Sequence, residues 1–186
     1  MVALIEPLSA RVRLRQWRES DLPDFAALNA DAQVMAHFPQ LLSRVQSDAL
    51  AQRNRDFIAE HGWGFWAAEH RASGRFMGFV GLNRPGVALP FSPCVEIGWR
   101  LSADFWGQGL ATEAARAALA VGFEQLHLPE IVSFTALSNR RSSAVMQRLG
   151  MRADTAGFEH PAVPPGHALR PHCLYRLQRD RWASTR

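Results

Sequence analysis

The stretch VEIGWRLSADFWGQG, residues 95–109, with LATEAARAALAVGFEQL after it, constrains this chain more than any other part. It reads as a strand, a short connection, a glycine turn and a long alanine-rich helix. Gly107 and Gly109 stand where the connection becomes helix. Without side chains at those points, backbone N–H groups can close on an anion at the positive end of a helix. The pattern predicts a pyrophosphate site whose owner must be read from the rest of the chain.

Several owners are excluded. All 21 basic residues are arginine, so neither a phosphate loop built on lysine nor a Schiff-base mechanism is available. The run Gly107-x-Gly109-x-x-Thr112 has a superficial dinucleotide-binding spacing. That fold requires an acidic residue near the end of the next strand, and residues 131–137 hold none. It also requires the glycine turn directly after its strand, whereas residues 102–106 intervene. The formal charge is +4, but the arginines are scattered, with small groups only at 11–18 and 140–141, so a nucleic-acid partner is not expected. Cys94 and Cys173 are too few for a disulfide framework or a zinc cluster and read as reduced, packed thiols. Neither a membrane-length apolar run nor a signal-peptide pattern is evident, and a cytoplasmic protein is expected. With 186 residues, 47% of them hydrophobic, one domain over residues 1–186 is expected.

In chain order, residues 12–17 alternate as a first strand. Ser20 is the expected cap of a helix through Asp31, and Ser47 that of a second helix to His61, stopped by Gly62. Residues 65–70 and 75–83 flank a turn at 71–74 and form a hairpin, and the proline-rich residues 84–93 a loop. A fourth strand spans 94–101, a helix 109–125 and a fifth strand 131–137. Asn139 opens a helix that closes at Gly150; strands at 152–159 and 172–178 flank a loop at 160–171. This order predicts a mixed sheet with helices on its faces, the units around the fourth and fifth strands being its parallel part.

The string FWGQGLATEA, residues 105–114, resembles the cofactor loop of the GNAT acetyltransferases. The flanking VEIGWRL and ALSNRRSSAVMQRLGM are similar to that superfamily's preceding strand and following Asn-x-x-Ser helix. The resemblance runs from RLRQW near the start to HCLYRL near the end and is nearest to the RimJ/RimL-type branch. It implies an α/β (α+β) fold with a mixed, mostly antiparallel central sheet splayed between strands 4 and 5. It also implies acetyl-CoA as co-substrate, with no metal. The pyrophosphate would lie on the loop of Trp106, Gly107, Gln108, Gly109, Leu110, Ala111 and Thr112. The pantetheine arm would pair with backbone near Trp99 and Leu101, with a bulge at Gly98, and meet Asn139 and Ser142. At Trp106 the superfamily often has Gln or Arg, so side-chain contacts there differ.

The reaction implied is direct attack of a primary amine on the thioester. An N-terminal amine of pKa about 7.8 costs roughly 1 kcal/mol to neutralise at pH 7, and a lysine amine near 10.4 about 4.6 kcal/mol. Glu96 is the first candidate base and Glu69 the second; for each the alternative is a solvent-facing or salt-bridged carboxylate. Relatives often place a tyrosine on the helix after the fifth strand to assist the leaving thiolate. Here the only tyrosine is Tyr175 on the last strand, which leaves Ser142 as candidate donor. Asn139 is expected to cap its helix and is compatible with a pantetheine contact. Cys94 as an acetyl carrier is unnecessary to a direct mechanism. His160, His167 and His172 match no zinc spacing and are expected near the acceptor mouth. The acceptor, a peptide N-terminus or a small-molecule amine, is left open, as is a homodimer. Two other readings are a non-catalytic CoA-binding protein and an arginine-rich ribosome-associated protein.

Overall fold

The computed structural model describes residues 2–184. In order, the elements are β1 (Val12–Arg15), α1 (Leu22–Ala30), α2 (Arg44–His61), β2 (Phe65–His70), β3 (Phe76–Asn83) and β4 (Glu96–Leu101). They continue with α3 (Leu110–Ala120), β5 (Glu130–Ala136), α4 (Arg140–Arg148), β6 (Arg152–Ala153), β7 (Phe158–Glu159), β8 (Pro171–Gln178) and α5 (Arg179–Ser184). The strands form one sheet in the order β1-β2-β3-β4-β5-β8-β6, with β7 also on β8. Among the described residues only β4 and β5 pair in parallel, and they do so at a single register position, Glu96↔Val132. Beyond it they part. The expected splay is therefore present, but the parallel region is smaller than the sequence pattern suggested, because β8 returns antiparallel to β5.

Alternation along the strands gives the sheet two faces. On one, Phe25 of α1 packs edge-on against Phe79, their centroids 6.1 Å apart. Across the sheet, Gly122 after α3 lies so close to Ile131 and Leu82 that a Cβ would stand 2.5 Å from the Ile131 side chain. Trp66, Phe25, Leu82, Ile97, Leu119 and Leu177 are among the fully buried side chains of this core.

Several local expectations are corrected. Ser43, not Ser47, caps α2: its hydroxyl accepts from the Gln46 amide and its own amide donates back to the Gln46 side chain. Ser47 is buried and accepts from Asn29 at 2.9 Å. Ser20 sits in a 3-10 turn over Glu19–Asp21, where the Asp21 carboxylate accepts from the Arg18 amide. The helix of the opening stretch is regular to Ala120 and widens into a π turn over Val121–Gln125. The sixth strand divides into β6 and β7, and a short helix, α5, follows β8 where no element was expected. The β3–β4 register runs without a shift from Gly78↔Leu101 to Asn83↔Glu96, so Gly98 is not a bulge. It is a packing glycine, since a Cβ there would stand 3.1 Å from the Phe65 ring. The irregularity lies instead between Ala68 and Glu69 on β2.

Candidate active site

The site is built around the β4–β5 opening. The Val132 amide donates to the Val95 carbonyl at 3.0 Å and the Ser133 hydroxyl to the Ile97 carbonyl at 2.9 Å. By the alternation of a strand, the peptide groups of Trp99 and Leu101 face the same gap. The Leu101 carbonyl already accepts from the Trp106 indole at 2.8 Å. Trp106 is thus a brace on the connection, and Arg141 lies 4.4 Å over its ring.

At the head of α3, Gly107 (φ 73) and Gly109 (φ 76) both adopt the left-handed conformation. Gly109 is the N-cap and brings no capping side chain, so the first amides of α3, from Leu110 through Ala111 to Thr112, lack side-chain acceptors there. The loop is held from outside. Arg11 donates to the Gln108 carbonyl at 3.0 Å and ion-pairs with Glu113 at 2.7 Å, while Gln108 donates to the Asp104 carbonyl. Burial opposes ionisation of Glu113, but the Arg11 amide, the Ser9 hydroxyl and the Arg11 guanidinium outweigh it and hold its pKa below the ordinary value. These contacts grip the loop from its rim and leave its amides for a ligand. An uncapped glycine cradle next to an open strand edge fits the diphosphate and arm of a CoA-type molecule.

Across the gap, Asn139 caps α4 by accepting from the Ser142 amide at 3.2 Å. Its own amide donates to Thr135 and to the Ser142 hydroxyl oxygen. The Trp99 indole donates to that same oxygen at 3.3 Å. With two N–H groups directed at its oxygen and no acceptor for its own proton among the described residues, Ser142 has a proton to offer.

Glu96 lies at the root of the splay, on the sheet face of α1 and α2. Burial pushes its carboxyl up to about 7, and the one hydrogen bond from Asn83, at 2.9 Å, offsets this only in part. Glu69 is elsewhere. It accepts from Arg15 at 2.7 Å and Arg18 at 3.2 Å, and Arg15 is in turn bidentate to buried Asp21. That network commits Glu69 to the β1–β2 corner. Burial, the Glu96 carboxylate and Glu130 push the Cys94 thiol up, with Arg176 opposing them, which disfavours the thiolate a carrier needs. Tyr175 accepts from Gln147 beneath α4.

The sheet face of Glu96 also carries a second charged group. Arg100 lies on it, its guanidinium 4.1 Å over Phe38 and donating to Asn29. His37 bonds Ser138 at 3.1 Å, linking the segment after α1 to the loop after β5. His160 and His172 come together, centroids 4.8 Å apart, among Phe134 and Phe158, while His167 closes a turn with Leu169. Alternation along β4 was enough to put Arg100 with Glu96. Nothing in the sequence announced that Asn83 would be Glu96's partner, because that depends on strand register.

The pattern that describes acetyltransferase (GNAT) domains matches residues 11–152. The chain belongs to the GNAT acetyltransferase family. It is accordingly an acyltransferase of the family that draws its acetyl group from acetyl-CoA. YkkB of Bacillus subtilis is 28% identical over 152 residues, 81% of this chain and 87% of that one. An FsC-acetyl coenzyme A-N(2)-transacetylase of Aspergillus fumigatus is 34% identical over 125 residues, 65% of this chain and about half, 52%, of that protein. A GNAT acetyltransferase structure from Bacillus anthracis superposes with a TM-score of 0.78 at 20% identity, covering 95% of this chain and 99% of that one. A structure of RimL, a ribosomal L7/L12 alpha-N-protein acetyltransferase in complex with coenzyme A, does so at 0.72 and 18%, covering 92% and 96%. These solved structures share the GNAT fold with this chain.

Proposed function

We propose that this GNAT protein transfers an acetyl group from acetyl-CoA directly to a primary amine, with Glu96 as the base. The observation that carries the reading is a half-buried carboxyl held up to about 7 beside the β4–β5 opening. A group of that pKa is ionised enough at neutral pH to accept a proton and basic enough to take one from an ammonium. The coenzyme supplies the activated acetyl thioester. The amides of Gly107–Thr112 hold its diphosphate, and the Trp99 peptide group pairs with its arm; the Trp106–Leu101 bond narrows that strand-like contact to Trp99. Glu96 takes the amine proton directly or through one water, the Ser142 hydroxyl donates a hydrogen bond to the departing sulfur, and the thiolate leaves as such or recovers the proton that Glu96 took. Asn139 keeps Ser142 oriented.

The acceptor is a peptide N-terminus or a small-molecule amine, and the likeness to RimL supports the RimJ/RimL-type branch of the family. A panel of N-terminal peptides, amino acids, polyamines and aminoglycosides, read by CoA release, tests the reading with wild type and Glu96→Gln. Amine-dependent release that Glu96→Gln loses is expected. Equal release by both proteins, with the same pH profile, would remove Glu96 from the role.

A further inference from the structure

Among the described residues Arg100 is a cation without an anion. Its guanidinium donates to the neutral amide oxygen of Asn29 at 2.6 Å, and among those residues its buried Nε has no hydrogen-bond partner. Among the described residues no carboxylate lies within ion-pair distance of it, although eleven arginine–carboxylate pairs form elsewhere. Asn29 is fully buried, and its own amide donates to Ser47, which turns its oxygen toward Arg100. The Phe38 ring covers one face of the guanidinium and Phe79 lies 5.4 Å away. The group is therefore held in a fixed pose with N–H donors to spare, in surroundings that penalise its charge: burial lowers its pKa to about 10. Buried cations are ordinarily paired, because an unpaired one sacrifices its hydration without return.

The position of this unpaired guanidinium gives it a meaning. Arg100 and Glu96 lie on the same face of β4, four residues or about 13 Å of strand apart. Between them on that face is only Gly98, which has no side chain. From these facts we infer that Arg100 is a specificity residue that receives a carboxylate of the amine acceptor while the amine is presented toward Glu96. The acceptor class is then a primary amine bearing a second, acidic group. A guanidinium with N–H groups left unpaired suits a carboxylate, and Arg is the side chain whose fork matches that group. The inference rests on the acetyl-transfer reading for the identity of the amine site.

The test compares acceptors that differ only in acid against amide. One pair is a tetrapeptide amide with aspartate or asparagine at its second position; the other is free glutamate against glutamine. The first pair tests a peptide source of the carboxylate and the second a free amino acid. Wild-type kcat/KM should favour the acid at least 30-fold in one pair. Arg100→Gln should abolish that preference through KM, leaving kcat and the KM for acetyl-CoA within about twofold, and Arg100→Lys should restore part of it. Calorimetric titration of the same compounds into the CoA-saturated protein gives the preference without turnover, and the wild-type ratio stands even where a variant folds poorly. Acid-selective binding with no acetylation would overturn the transfer reading and keep the carboxylate site. Acetylation of both members of each pair at equal rates would overturn the carboxylate site and keep the transfer reading.

Discussion

Asn83 and Glu96 face each other across the β3–β4 pair, and the Asn83 amide donates to the Glu96 carboxylate at 2.9 Å. Burial raises this carboxyl to about 7, and the Asn83 bond is what keeps it from going higher. With an acceptor amine whose own pKa lies below 6, kcat/KM should climb as Glu96 ionises and level off above about pH 7. Asn83→Leu should displace that limb to higher pH, since the donor that favours the ionised form is gone. Glu96→Gln should erase the limb and lower kcat/KM by roughly 10²-fold or more. A pH–rate series on the three proteins checks all of this.

The same carboxyl has a thermodynamic signature. Its folded-state pKa, about 7, stands above the ordinary 4.5, so the folded protein holds the proton more tightly than the unfolded chain. Its favourable contribution is complete below about pH 4.5 and is lost as pH rises through 7. Glu96→Gln does not titrate. The variant should therefore gain on wild type as pH rises, by on the order of 2–3 kcal/mol between pH 4.5 and pH 8. Urea unfolding at both pH values measures the difference, and a gap that does not change with pH would contradict it.

The legibility of this site follows from which forces act locally. The glycine turn, the helix it opens and the Asn139 cap were visible because each depends on a few neighbouring residues. Strand alternation placed Glu96 correctly in β4. What could not be read depends on tertiary register. That Arg15 and Arg18 converge on Glu69 from β1 and the turn after it depends on how β1 and β2 pair. Gly98 has the local pattern of a bulge because nothing local shows the Phe65 ring packed above it. Ser47 has the local pattern of a cap, but Ser43 and Gln46 close a capping box one turn earlier, which leaves Ser47 to Asn29 and, through it, to Arg100.

Ser142 and Asn139 are predicted to separate. Removing the Ser142 hydroxyl leaves Trp99 and Asn139 without their shared acceptor but does not touch the α3 loop. Ser142→Ala should lower kcat about tenfold or more, the size of a lost hydrogen bond to a developing charge, with the acetyl-CoA KM within about twofold. Asn139→Ala should reduce kcat as well and also destabilise the protein by about 1 kcal/mol, because it removes the α4 cap. Steady-state kinetics paired with denaturant melts distinguish the two. A loss of acetyl-CoA affinity equal to the loss of kcat in Ser142→Ala would assign the serine to binding instead.

Gly109 offers the sharpest separation of folding from ligand binding, because the chain carries its own control. Gly74 (φ 66) in the β2–β3 turn and Gly109 (φ 76) share the left-handed conformation. A Cβ at Gly74 meets nothing within 4 Å, and one at Gly109 meets only the tip of Arg11 at 3.6 Å, an ordinary contact. Alanine at either position is thus penalised mainly through its backbone, by about 1–2 kcal/mol. Gly74→Ala and Gly109→Ala should lose similar stability in denaturant. Only Gly109→Ala should lose acetyl-CoA affinity, by tenfold or more, since relaxing that strain tilts the first amides of α3 away from the anion they serve. Acetyl-CoA titration by calorimetry on both variants decides the matter: equal affinities would detach the glycine turn from the diphosphate.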